Sequence, residues 1–217
     1  MRPFLFFVCK SFRWRPYSFA EILDLSISLK SQAVQKATKA NKFQGTVAGP
    51  VGMYVKVVSG KEKYAKIAEL AIGPGALDRF IVTNHDDFQL MNKIRREIGC
   101  GPRDCPLYRI SPKSTKHRYD VPAPPPGVET VTSVLHVENA MAFNMLVDHA
   151  KIDTSALADS KESSEQALLS RENGRSFIKG GKIGKVFFLP NGDHWEAKGG
   201  NVMMVGNDRG MKQTIGI

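Results

Sequence analysis

A mixed α/β (α+β) fold of two small subdomains, with mixed sheets and flanking helices, is what this 217-residue chain predicts. Three features predict it. Phe80 to Gly99 reads as a buried strand running into an amphipathic helix. Short β-branched runs alternate with helical stretches on either side of that unit. A polar, proline-rich stretch over 112–127 divides the chain, and an Asn-Gly turn between apolar runs marks a hairpin near its far end.

The Phe80–Gly99 unit carries every local signal of its kind. Phe80-Ile81-Val82-Thr83 is apolar and β-branched, which suits a buried strand. Thr83 or Asn84 can cap the helix, because a short side-chain oxygen accepts from the free amides of a first turn. Asp86 and Asp87 lie at the positive helix end and Arg95 and Arg96 at the negative one. Phe88, Met91, Ile94 and Ile98 share one face, and Gly99 supplies the left-handed stop. This spacing belongs to a core, so no catalytic role falls on the unit, His85 included.

Taken in order, the chain opens on a basic segment, residues 1–42, with eight Lys/Arg against two acids. The remaining 175 residues hold 23 against 19, so the net charge of +10 is partly a property of this segment. Phe4–Cys9 is apolar but too short for a signal-peptide core. Residues 19–40 lack Gly and Pro, and Ile22, Leu25 and Leu29 form a weak helical face that needs a partner. At 45–58 a Gly-Pro-x-Gly turn leads into a strand, Tyr54–Val58, with glycine where backbones approach closely. Lys61–Ile72 reads as a helix facing inward through Tyr64, Ile67, Ala68, Ala71 and Ile72, and it stops at Gly73-Pro74-Gly75. Leu107–Ile110 is a further strand. Beyond the linker, Thr130–Val137 reads as a strand. Glu138–Ala150 reads as a helix burying Ala142, Phe143, Leu146 and Val147. A second helix is capped by Ser163 or Ser164 and runs to Arg171, with Ala167 and Leu168 inward. Val186–Leu189 and a segment from His194 flank Pro190-Asn191-Gly192-Asp193, a hairpin in which both Asn191 and Gly192 need positive φ. Gly199-Gly200 precedes a last strand, Val202–Val205.

The division that follows is a basic N-terminal segment, 1–42, as a coiled-coil remnant or disordered stretch, then one domain over 43–217. Within it, subdomain I spans about 43–120, the linker about 112–127 and subdomain II about 128–217. No apolar run approaches the roughly 20 residues that cross a bilayer. Cys9, Cys100 and Cys105 make no disulfide framework.

The chemistry-bearing candidates are few. Gly180–Lys185 invites a phosphate-loop reading, but Lys179 stands where the first glycine belongs and Val186 where the magnesium-binding hydroxyl belongs. Cys100, Cys105 and His117 lack the paired spacing of a zinc site. Asp193-His194 has no nucleophile to serve. No catalytic residue, metal site or cofactor is therefore assigned. Two basic groups remain. One is Arg103, Arg109, Lys113, Lys116 and Arg118; the other is Arg171, Arg175, Lys179, Lys182 and Lys185, with Phe177 interleaved. Positive charge with an interleaved aromatic ring suits single-stranded nucleic acid, and a solvated basic surface accounts for the same residues. A small α/β enzyme acting on a phosphorylated or nucleotide substrate through the 180–185 turn stays open as an alternative.

Four pieces in order resemble the hinge domain of the structural-maintenance-of-chromosomes (SMC) proteins, most of all that of the sixth eukaryotic member. They are Gly49-Pro50-Val51-Gly52 entering a strand, Leu77–His85 (LDRFIVTNH), Glu138–Asp148 (ENAMAFNMLVD) and Leu189–His194 (LPNGDH). The resemblance covers roughly 45–205 and implies a dimerising, non-enzymatic hinge that pairs with the fifth member's hinge. It also implies contact with single-stranded DNA, in DNA repair, recombination and chromosome maintenance, in the nucleus on chromosomes. Glycine-bearing edges are where such an interface is expected, at Asn191, Gly192, Asp193, Gly199, Gly200 and Asn201. The family's long coiled coils and ATPase head motifs have no counterpart in these residues.

Overall fold

The computed structural model describes residues 32–40, 42–73, 75–124, 127–169, 171–172, 175–176, 183–198, 201–208, 210–211 and 215. The weak helical face at Ile22, Leu25 and Leu29 lies outside them.

Residues 32–39 form helix α1. It is followed by β1 (Val47–Ala48), β2 (Val55–Val57), α2 (Ala65–Ile72), β3 (Phe80–Val82), α3 (His85–Glu97) and β4 (Leu107–Arg109). Beyond the linker come β5 (Glu129–Thr130), α4 (Val131–Val134), β6 (Leu135–Val137), α5 (Ala140–Met145), β7 (Ser155–Ala158) and α6 (Lys161–Leu169). The chain closes with β8 (Arg171–Glu172), β9 (Arg175–Ser176), β10 (Lys185–Phe188), β11 (Asp193–Lys198) and β12 (Asn201–Val205). Among the described residues the strands make a sheet ordered β1-β3-β4, a sheet ordered β12-β11-β10-β7-β5, and the pairs β2-β6 and β8-β9. Both larger sheets are mixed: β3 runs parallel to β4 and antiparallel to β1, and β10 runs parallel to β7 and antiparallel to β11.

Strand alternation sorts the core into layers. Phe80 and Val82 point to one face of the smaller sheet, where Met91 and Ile94 of α3 and Val34 and Ala37 of α1 cover them. Ile81 points to the other face, into a cluster shared with Ile67, Val131, Leu146, Leu157 and Phe187. That central cluster takes one face of each larger sheet and draws on both sides of the proline-rich linker. The opposite face of the larger sheet, Ala156, Val186 and Phe188, packs under Ala167 and Leu168 of α6.

The central unit forms as its local signals require. Asn84 caps α3 by accepting from the Asp87 amide at 2.7 Å, and Gly99 stops it at φ 73°. The Gly-Pro approach behaves as a close contact: at Gly49, φ +133°, an added Cβ would meet the Arg79 carbonyl oxygen and the Phe80 Cα at 2.7 Å. A 3-10 turn, Val51–Tyr54, then shortens the strand expected over Tyr54–Val58 to Val55–Val57.

Four elements differ from expectation for local reasons. The Thr130–Val137 strand is broken by the single turn α4, because Thr130 and Ser133 form a reciprocal capping box. The Glu138–Ala150 helix begins at Ala140 and passes into a π-helical turn over Leu146–Ala150 that ends on Lys151 in the left-handed region. The next helix is capped by Ser160, whose hydroxyl accepts from the Ser163 amide at 3.2 Å, while Ser163 Oγ accepts from the Ser160 amide at 3.0 Å. It ends at Leu169, before Arg171 enters β8. In the hairpin only Gly192 has positive φ. Phe188 pairs with Asp193, so the four loop residues are Leu189–Gly192, one position earlier than the expected Pro190–Asp193, and the Gly192 amide donates to the Phe188 carbonyl at 3.0 Å.

The linker is tied down. Asn144 is fully buried; its Nδ2 donates to the His117 carbonyl and its Oδ1 accepts from the Tyr119 amide, both at 2.8 Å. Tyr119 reaches Asp148 Oδ2 at 3.0 Å. Such satisfied polar pairs hold a strandless segment where a ladder cannot.

Candidate functional site

Three consecutive exposed apolar residues lie on strand β12. It is the terminal strand of the five-stranded sheet, bonded to β11 on one side. Val202, Met203 and Met204 are 42, 44 and 51% exposed. Successive side chains point to opposite faces, so apolar surface lies on both faces of the strand. Residues 201–205 contain no charge and no proline, the devices that ordinarily keep an edge from pairing.

The neighbouring hairpin holds this edge in place. Asp193 Oδ1 accepts from the Asn207 amide at 2.7 Å, and Asn207 Nδ2 donates to the Asn191 carbonyl at 2.7 Å. Gly192 is buried against its own chain: a Cβ there would meet Leu70 at 2.3 Å and Met211 at 3.2 Å. His194 stacks on Phe187, ring centroids 4.6 Å apart, and lies 3.9 Å from Glu196, which also approaches Lys185 at 3.5 Å. Burial, with the Lys185 charge behind it, pushes the His194 pKa below its ordinary value.

The six residues expected at an interface are therefore distributed as follows. Asn191 and Asn201 are exposed, Asp193 anchors the end of the edge strand, and Gly192 packs internally. Gly199 and Gly200 lie outside the described residues. The exposed Val202, Met203 and Met204 were legible as a strand. The absence of a charged residue among them was the signal of an open edge.

The basic groups fall on different sheets. Arg103 and Lys116 are exposed beside β4, and Arg109, on β4, has its Nη1 3.5 Å from His85 Nδ1. Lys113 sits in the 3-10 turn Pro112–Thr115. Arg118 is exposed but not free: its guanidinium carbon lies 3.6 Å from the Phe143 ring centroid, and Nη1 donates to the Val137 carbonyl at 2.9 Å. In the second group, Arg171 and Arg175 belong to the β8–β9 pair and Lys185 engages Glu196. Lys179, Lys182 and Phe177 lie outside the described residues, as does the first half of the 180–185 turn, 180–182.

Two open grooves mark the surface. One, about 500 Å³, runs beside Arg118 and Pro122; the other, about 300 Å³, lies between the hairpin and Asp208. Neither is lined by a histidine. Cys105 is buried in the core and Cys100 is half-buried. Among the described residues no three His, Cys, Asp or Glu side chains converge to hold a metal, and no helix is long and apolar enough to cross a membrane.

No protein-family model matches the chain. Structural maintenance of chromosomes protein 6A of Arabidopsis thaliana is 31% identical to it over 124 residues, 56% of this chain and 11% of that protein. Protein 6B of the same plant is 30% identical over 132 residues, 60% of this chain and 12% of that protein. The chain thus spans about a tenth of the length of these curated relatives. Among solved structures, the S. pombe Smc5/6 hinge domain superposes with a TM-score of 0.62 at 18% identity, over 85% of this chain and 67% of that one. The ordered motifs, the likeness to two sixth-member proteins and the shared backbone agree: the described domain has the fold of an SMC hinge domain, and its sequence is similar to that of sixth-member proteins.

Proposed function

We propose that this hinge is a non-enzymatic assembly module that pairs with the hinge of the fifth SMC member. It also contacts single-stranded DNA, and it serves repair, recombination and chromosome maintenance in the nucleus. The observation that carries the reading is the open β12 edge, apolar on both faces and uncharged along its length. An edge of this kind gains main-chain hydrogen bonds and buries side chains when a partner strand adds to it. Asn201 is its first residue, the Asn191 carbonyl is tied to Asn207 just beyond its last, and Gly199-Gly200 precedes it in sequence. The two basic groups supply the charge that phosphate contacts require.

Light scattering on a mixture with the fifth member's hinge tests the pairing, with a one-to-one complex expected. Met204 is about half exposed, so completing its burial contributes about 1 kcal/mol. Met204→Lys therefore weakens the complex at least about fivefold. A mixture that stays monomeric at micromolar concentration overturns the pairing. Binding to a thymidine oligomer should fall steeply with salt, and an affinity independent of salt overturns the charge-based contact.

A further inference from the structure

We infer that the groove beside Arg118 is a nucleobase site, in which the Arg118 guanidinium is a stacking platform rather than a phosphate contact; the inference rests on the DNA-contacting reading above. The geometry is specific. Phe143 covers one side of the guanidinium at 3.6 Å, and the Val137 carbonyl takes one of its donors at 2.9 Å. The guanidinium is thus held by two contacts. Arg118 nonetheless remains exposed and lines an open groove of about 500 Å³. A held, planar, cationic surface facing an open groove suits a flat aromatic heterocycle, because bases stack on guanidinium planes as they do on aromatic rings.

The rest of the lining agrees. Pro122 and Ala123 bring apolar surface to the lining, and Thr132 and Ser133 bring hydroxyl-bearing side chains. Thr132 Oγ1 has Thr130 Oγ1 as its partner at 2.8 Å, which leaves hydroxyl capacity for a base edge. Asp120 also lines the groove, so Arg118 does not make it positive overall. A phosphate is poorly served beside that carboxylate, whereas a neutral base is not. The Tyr119 backbone is held by Asn144 at 2.8 Å, so the wall is anchored before anything binds.

The test uses the full chain, a thymidine homo-oligomer and an abasic oligomer of equal length, read by fluorescence anisotropy at fixed salt. Arg118→Lys keeps the charge and removes the plane. It should weaken thymidine-oligomer binding about tenfold, within the range for one stacked base, and leave abasic binding unchanged. Ala123→Leu, which adds bulk at an exposed position lining the groove, should give the same selective loss. Equal loss on both oligomers makes Arg118 a simple charge and overturns the site. Full binding by Ala123→Leu also overturns it, as does a proline-rich peptide that occupies the groove without competing with the oligomer. If wild-type protein binds the oligomer and Arg118→Lys binds equally well, the base site alone falls. If wild-type protein does not bind, the DNA reading falls with it.

Discussion

Asp87→Ala removes a buried carboxylate on which the start of the domain depends. Asp87 is 1% exposed. Its Oδ1 accepts from the Gln44 amide at 2.9 Å, and its Oδ2 accepts from the Gly45 amide at 2.8 Å and from Asn84 Nδ2 at 2.7 Å. Gly45 lies so close that a Cβ would meet Thr83 Oγ1 at 2.3 Å, so no side chain can replace the lost contact from that side. Hydrogen bonds to a charged group contribute about 1.5–3 kcal/mol each, and each buried donor left unpaired costs about 1–3 kcal/mol. The three share one acceptor and are not additive, so the expected loss is about 3 kcal/mol. Asp87→Asn keeps one acceptor oxygen and should lose roughly half as much. Urea unfolding at neutral pH reads this as a lower midpoint with unchanged slope. Amide exchange should quicken at Gln44 and Gly45 more than at Phe80–Val82, because the clamp joins the segment after α1 to α3. A loss below about 0.5 kcal/mol, the range of ordinary surface substitutions, or unchanged exchange at Gly45, refutes the clamp.

Two further predictions follow the same physics. Asn144→Ala strands the Tyr119 amide and the His117 carbonyl, so stability should fall by about 2 kcal/mol, with faster amide exchange at Tyr119; unchanged exchange there counts against a pinned linker. His194 has a folded pKa held below its ordinary 6.5 by burial, so the unfolded chain takes up the proton first on acidification. Its contribution is present above about pH 6.5 and is lost as pH falls through the folded value. His149 is also lowered and titrates in the same window, so the readout is the difference between wild type and His194→Phe. The variant's melting temperature should fall less on acidification, and identical pH profiles refute the assignment.

Elements whose signals are short-range were legible in the chain. β3 and α3 show this best: an apolar β-branched run, Asn84 as cap, a three-and-four spacing and Gly99 as stop lie within twenty consecutive residues, and all act where they were read. Ordered motifs extended that reading to a hinge fold. Local competition was harder to weigh. β-branching in Thr130–Val137 argued for strand, yet the Thr130–Ser133 capping box made a helical turn there. Asn-Gly argued for positive φ at both Asn191 and Gly192, yet only Gly192 adopts it.

By itself, the sequence determined the Phe80–Gly99 strand and helix with their cap and stop, and the ordered motifs that resemble a hinge. Tertiary structure alone decided what those segments do. Asp87 read as a charge complementing a helix end, and folding carried it to amides more than forty positions earlier. Arg118 read as one of five basic residues, until Phe143 came to lie beneath its guanidinium. Val202–Val205 read as one more strand, and only sheet order placed it at an edge with Val202, Met203 and Met204 exposed. The physical reason is common to all three: propensity and capping act within a few residues, whereas burial, stacking and edge position depend on partners that only the folded chain brings together.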